Sequence, residues 1–102
     1  MPRKRKKVRS PVHPGEILIE DFLKPFGISA NKLARELRVP SNRIVKIVNA
    51  ERRITADTAL RLARFFNTTP DFWMNLQTHY DLEKAQDEIA TTVERDVRPY
   101  AA

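Results

Sequence analysis

Apolar residues recur along this chain at spacings of three and four from residue 14 onward, and two-residue alternation nowhere holds for long. That period stacks side chains on one face of an α-helix. Ile17, Leu18, Phe22 and Leu23 supply the first such face. The pattern predicts helix one over roughly 14–26, with Pro14 in the first turn, where a missing N–H costs little. Pro25 and Gly27 end it. Ser29 then caps helix two, roughly 30–37, whose Leu33, Ala34 and Leu37 face one way. Val39 precedes Pro40, and a residue before proline is pushed out of the α region, so a turn is expected around Arg38–Pro40. Helix three follows over roughly 41–49, with Ser41 placed to cap its first turn.

Ile54 and Thr55 open helix four, with Thr55 as cap, Asp57 at the positive helix end and Ala59, Leu62, Ala63 and Phe66 as the buried stripe. Thr69-Pro70-Asp71 repeats that grammar for helix five. Its stripe begins Phe72, Trp73, Leu76 and Tyr80 and continues through Leu82, Ala85, Ile89 and Val93, with Pro99 closing the ordered part. An aromatic stripe at helical spacing reads first as core, which is the role expected of Trp73, Phe72 and Tyr80. The fold class is therefore all-α, a bundle of five helices. Its second and third helices are joined by about three residues, the spacing of a helix-turn-helix.

On a helical wheel, Ile44, Ile47 and Val48 fall on one side of helix three, at the spacing of a core face. Asn42, Lys46 and Asn49 lie opposite, and Arg43 and Val45 flank them. An amide pairs with adenine edges and a cation with guanine edges or phosphate, and the major groove admits an α-helix. No acid lies within this helix; Glu51 follows it. Lys32, Arg35, Arg38, Arg52 and Arg53 flank the helix and, with the Ser29 hydroxyl, suit phosphate positioning rather than base reading. The plain alternative is a solvated basic surface helix.

The 102-residue length fits one domain, and the net charge of +6 points to a polyanionic partner. The distribution sharpens this. Residues 1–10 hold Arg3, Lys4, Arg5, Lys6, Lys7 and Arg9 without an acid, and the middle of the chain is also basic. The C-terminal third is acidic, with Asp71, Asp81, Glu83, Asp87, Glu88, Glu94 and Asp96 against Lys84, Arg95 and Arg98. Residues 1–11 lack apolar periodicity and are expected as a basic disordered tail, ahead of a helical domain over 12–98. The tail either lies along phosphate or in a minor groove, with non-specific electrostatic help favoured over a defined groove contact, or is a solvated leader. The late strip of Leu82, Ala85, Ile89 and Val93 has little chain left to pack on, and its acidic flank suits a homodimer seam or a basic partner protein.

The chain has no cysteine and only two histidines, His13 and His79, near opposite ends. With no thiol nucleophile, phosphate-cradling glycine loop or metal-ligand spacing, no enzyme, metal or cofactor is expected. The absence of a membrane-length apolar run leads to the expectation of a cytoplasmic protein. RNA binding is disfavoured because the basic middle lacks aromatics for stacking. A module that binds only protein remains the alternative to DNA.

The stretches HPGEIL (13–18), GIS…LA (27–34), VPSNRI (39–44), ITADTALRLARFF (54–66) and TPDFWMNLQ (69–77) closely resemble the HigA-type antitoxins. These are a branch of the XRE, or lambda-repressor-like, helix-turn-helix family, and the likeness covers roughly 12–90. It implies a dimer that represses its own operon at a palindromic operator in double-stranded DNA and binds a HigB-type toxin, a small RelE-like ribonuclease. The alternative within the family is a free-standing regulator without a toxin partner. By the same resemblance, Ser41, Asn42, Arg43 and Lys46 fall where the family contacts DNA. Two positions depart from the pattern. Ala50 stands where relatives often have glycine at the helix end, so either Asn49 takes the left-handed turn or the helix ends differently. Arg53 replaces a common small residue.

Overall fold

The computed structural model of the chain describes residues 10–101. The basic tail expected over 1–11 therefore lies, up to residue 9, outside the described residues. Five helices and no strand are present among the described residues. Helix α1 covers 14–26. It is α-helical over Pro14–Ile17, π-helical over Leu18–Leu23 and α-helical again over Lys24–Phe26. The others are α2 (Ala30–Leu37), α3 (Ser41–Val48), α4 (Ala56–Phe66) and α5 (Pro70–Asp96).

The start of α1 is fastened by His13, whose Nδ1 accepts the Gly15 N–H at 2.9 Å. Imidazole thus does the work usually given to Ser or Asp at an N-cap. The wide middle turn was not expected from the period. There the Lys24 N–H reaches back five residues to the Ile19 carbonyl. Pro25 supplies the physical reason: it has no N–H to donate and its ring crowds the carbonyl four residues earlier, so the ladder changes register ahead of it. Gly27, at φ 68°, closes the helix.

Ser29 caps α2 as expected, its Oγ accepting the Lys32 N–H at 3.0 Å. Thr69 caps α5 in the same way through the Phe72 N–H at 3.1 Å. Ser41 does not cap α3. The N-cap is Pro40, in extended backbone, and Ser41 is already the first helical residue. Proline fixes its own φ and pushes Val39 out of the helical region, so Pro40 itself becomes the cap and the helix begins one residue earlier than a Ser41 cap would start it. Thr55 occupies the N-cap of α4 without a side-chain capping bond.

The core joins all five helices through Leu18, Leu33, Ile44, Ile47, Ile54, Ala59, Leu62 and Trp73, each fully buried. Phe22, Phe66 and Trp73 form an aromatic cluster, with Phe22 centred 4.8 Å from Phe66 and 4.9 Å from Trp73. The indole N–H of Trp73 donates to Thr68 Oγ1 at 2.8 Å, so its burial leaves no polar group unpaired. Trp73 is core, as expected, whereas Phe72 lies at the surface of the same cluster.

Helix α5 runs unbroken for 27 residues, about 40 Å at the α-helical rise. Its first half packs on α4 and α1. From Gln86 onward every described residue is exposed. No helix among the described residues is long and apolar enough to cross a membrane.

Candidate nucleic-acid interface

The turn between α2 and α3 is built by Arg38, which takes the left-handed conformation at φ 61°, followed by extended backbone into Pro40. The Val39 N–H returns to the Ala34 carbonyl at 3.0 Å and closes α2. This fixes α3 across α2, with Ile44 and Ile47 buried against the core and Val48 half-buried. Asn42, Lys46 and Asn49 consequently stand on the open face, as the wheel predicts, and Ser41 is exposed in the first turn of the helix.

Arg43 is half-buried on the flank that meets α4. Its Nη1 donates to Asp57 Oδ1 at 2.8 Å and lies 3.5 Å from Thr58 Oγ1. Asp57 also accepts from Arg61 Nε at 2.7 Å, and Arg61 Nη1 donates to the Leu37 carbonyl at 2.8 Å. The bonds from Arg61 and then Arg43 hold the Asp57 carboxyl below the usual carboxylate range. Asp57 was expected only to complement a helix dipole; sequence gave no sign of its grip on Arg43, because the two are brought together by tertiary packing alone.

The flanking cations divide into two groups. Arg38 and Arg52 are exposed and make no ion pair among the described residues. Lys32 pairs with Glu36 at 3.4 Å, and Arg53 pairs with Asp81 of α5 at 2.9 Å. Ser29 is exposed, its hydroxyl engaged in the α2 cap.

The end of α3 answers the question raised at position 50. Ala50 itself adopts the left-handed conformation at φ 62°, while Asn49 stays at φ −89°. The Ala50 N–H bonds to Ile47 O and the Glu51 N–H to Lys46 O, the paired bonds of a Schellman ending. The loop beyond is held from beneath by Gln77, which is buried. Its Oε1 accepts the Ile54 N–H at 2.7 Å and its Nε2 donates to Asp81 at 3.0 Å. Gln77 was missed from sequence, although a polar residue four places after Trp73 in a core stripe is the signal of a buried hydrogen-bonding role.

The C-terminal strip is exposed as expected. Leu82, Ile89 and Val93 keep 57%, 50% and 44% of their surface open, and with Ala85 and Ala90 they line a shallow apolar groove. His79 is exposed on α5, and no group of His, Cys, Asp or Glu among the described residues is arranged to hold a metal ion.

Comparison with known proteins agrees with this architecture. The helix-turn-helix family model matches residues 19–73. Virulence-associated protein I of Dichelobacter nodosus is 53% identical over 77 residues, 76% of this chain and 71% of that protein. A HigA-family addiction module antidote protein from Coxiella burnetii superposes with a TM-score of 0.85 at 51% identity, covering 90% of this chain and 100% of that one. The Pseudomonas aeruginosa antitoxin HigA, solved with the higBA promoter, superposes with a TM-score of 0.86 at 44% identity, covering 89% of this chain and 99% of that one. Family match, identity and fold agree that this chain belongs to the helix-turn-helix family, as a relative of the HigA-type antitoxins.

Proposed function

We propose that the protein is a sequence-specific DNA-binding antitoxin of a HigBA-type module. It represses its own operon as a dimer and neutralises a HigB-type ribonuclease. The observation that carries this reading is the open face of α3, an acid-free helix held across α2 with Ser41, Asn42 and Lys46 projecting from it. The relative solved with its promoter, at 44% identity across nearly the whole domain, supports the same use of the fold.

In this reading Ser41, Asn42, Arg43 and Lys46 meet base edges in the major groove, and Ser29, Lys32, Arg38, Arg52 and Arg53 meet phosphates. Lys32 and Arg53 exchange their present carboxylate partners for phosphate on binding. Leu82, Ala85, Ile89 and Val93 form the dimer or partner interface, the acidic residues beside them complement a basic ribonuclease, and the site of action is the cytoplasm and its nucleoid. Dimerisation through one such strip gives a two-fold axis, which a palindromic operator matches.

The test is fluorescence anisotropy against DNA from upstream of the chain's own gene and against a scrambled duplex, at two salt concentrations. Selective binding is expected, and Arg43→Ala is expected to weaken the specific site by about 1–3 kcal/mol. Arg52→Ala is expected to weaken both duplexes alike and to lower the salt slope by roughly 0.9. Equal, salt-sensitive binding to both duplexes would reduce the DNA reading to charge. For the antitoxin half, the chain is added to the purified ribonuclease encoded beside its gene, and RNA cleavage is expected to stop. Cleavage that continues with the chain in excess refutes that half alone.

A further inference from the structure

A guanidinium carries five N–H groups in a rigid planar fork, so fixing one of its nitrogens fixes where the others point. Arg43 is fixed in this manner: Nη1 is turned to Asp57 and Thr58, while Nε and Nη2 make no hydrogen bond among the described residues. The side chain still exposes 24% of its surface. Asp57 is in turn held by Arg61, and Arg61 by the last carbonyl of α2. The contacts therefore run from the end of α2, through the first turns of α4, to the base-facing helix α3.

We infer that Asp57 is the positioning residue of Arg43, holding the guanidinium by Nη1 so that its Nε–Nη2 edge is the one offered to a base. This rests on the DNA-reading function proposed above. A carboxylate facing DNA would by itself repel phosphate. Here two arginines share it, the cluster stays positive, and no repulsive charge is left over. Such an exposed ion pair adds little to folding, so its effect belongs in base selectivity rather than in melting temperature. A freely swinging arginine must be ordered at the moment of binding, whereas one already held loses less side-chain freedom.

The experiment measures affinity of the full chain for the operator and for operators with each base pair changed singly. Wild type, Arg43→Ala, Asp57→Ala and Asp57→Asn are compared, with a scrambled duplex as reference. A bidentate arginine contact distinguishes bases by roughly ten- to a hundredfold. Arg43→Ala is expected to erase that preference at one base pair per half-site. Asp57→Ala is expected to reduce the preference at the same base pair to about threefold or less, with affinity for the scrambled duplex held or raised. Asp57→Asn, which keeps an acceptor oxygen, is expected to fall between Asp57→Ala and wild type.

Four results overturn the inference. Asp57→Ala that tightens every duplex equally, with each preference intact, makes Asp57 a surface charge only. Preference lost evenly at all positions makes it a structural support of α4. A wild-type chain with no preference for any duplex overturns the functional reading and this inference together. Preference erased by Arg43→Ala and kept by Asp57→Ala overturns the inference alone.

Discussion

The backbone of Gly15 rests directly on the carbonyl of Ile47, so the first turn of α1 and the last turn of α3 meet with no side chain between them. A Cβ at position 15 would overlap that carbonyl oxygen. Its neighbour is backbone and has no rotamer to yield. Gly15→Ala is expected to destabilise the fold by about 1–3 kcal/mol, read as a lower urea midpoint at unchanged slope. A midpoint equal to wild type would mean that α1 slides freely over α3.

Ala50 ends α3 in a conformation where an L-residue with a Cβ is strained, costing roughly 1–2 kcal/mol relative to glycine. Ala50→Gly is expected to stabilise the protein by about 1 kcal/mol and to raise its melting temperature by roughly 4–8 °C. Calorimetry checks this. The same substitution at Asn49, which is not left-handed, is expected to lower the melting temperature instead.

Gln77 supplies the acceptor for the buried Ile54 N–H. Gln77→Leu fills the space but removes the oxygen. It is expected to cost about 1–3 kcal/mol for the stranded donor. Native-state hydrogen exchange at the Ile54 amide reads the local effect, where protection is expected to fall more than in the middle of α4. Equal loss at both sites would make the change a global one.

Burial lowers the pKa of His13 below its ordinary value, and the opposing pull of Asp81 is the smaller effect. The unfolded chain therefore takes up the proton first as pH falls. His13 contributes no pH dependence well above 6.5, stability drops as pH passes below that value, and the drop ends beneath the folded-state pKa. Asp57 has its own window at lower pH, because its support is lost only as pH falls through a depressed carboxyl pKa. His13→Asn keeps a capping acceptor and is expected to flatten stability just below pH 6.5 in denaturant titrations. A slope identical to wild type would move the titration to another group.

Leu82 and Ile89 keep more than half or about half of their surface open in the single chain. Leu82→Glu with Ile89→Glu is expected to abolish the proposed dimer in light scattering while leaving monomer helicity intact. Operator affinity is expected to fall with it. A double variant that stays dimeric would place the two-fold axis elsewhere.

Much of this molecule was legible because helix grammar is local. The 3.6 period located all five helices, Ser29 and Thr69 announced two caps, and Ile44 and Ile47 separated the core face of α3 from its open face. What escaped was non-local or backbone-borne. The wide turn in α1 depends on how Pro25 fits into a helix already committed by packing, and the cap at Pro40 turns on a one-residue shift. The Arg43–Asp57 pair spans 14 positions and has no periodic trace. Gln77 could have been suspected from its register; its partner, a backbone N–H 23 residues earlier, could not.

The unbroken course of α5 has a geometric consequence for the operator. One half of the helix is cemented into the reading domain and the other half carries the proposed two-fold seam, with no joint between them. In such a dimer the separation of the two reading helices is a fixed molecular dimension, like the gauge of a track. Moving the half-sites apart by one base pair also rotates them by about a tenth of a turn around the duplex, which a jointed protein absorbs and this one does not. Spacing should therefore be recognised as sharply as sequence.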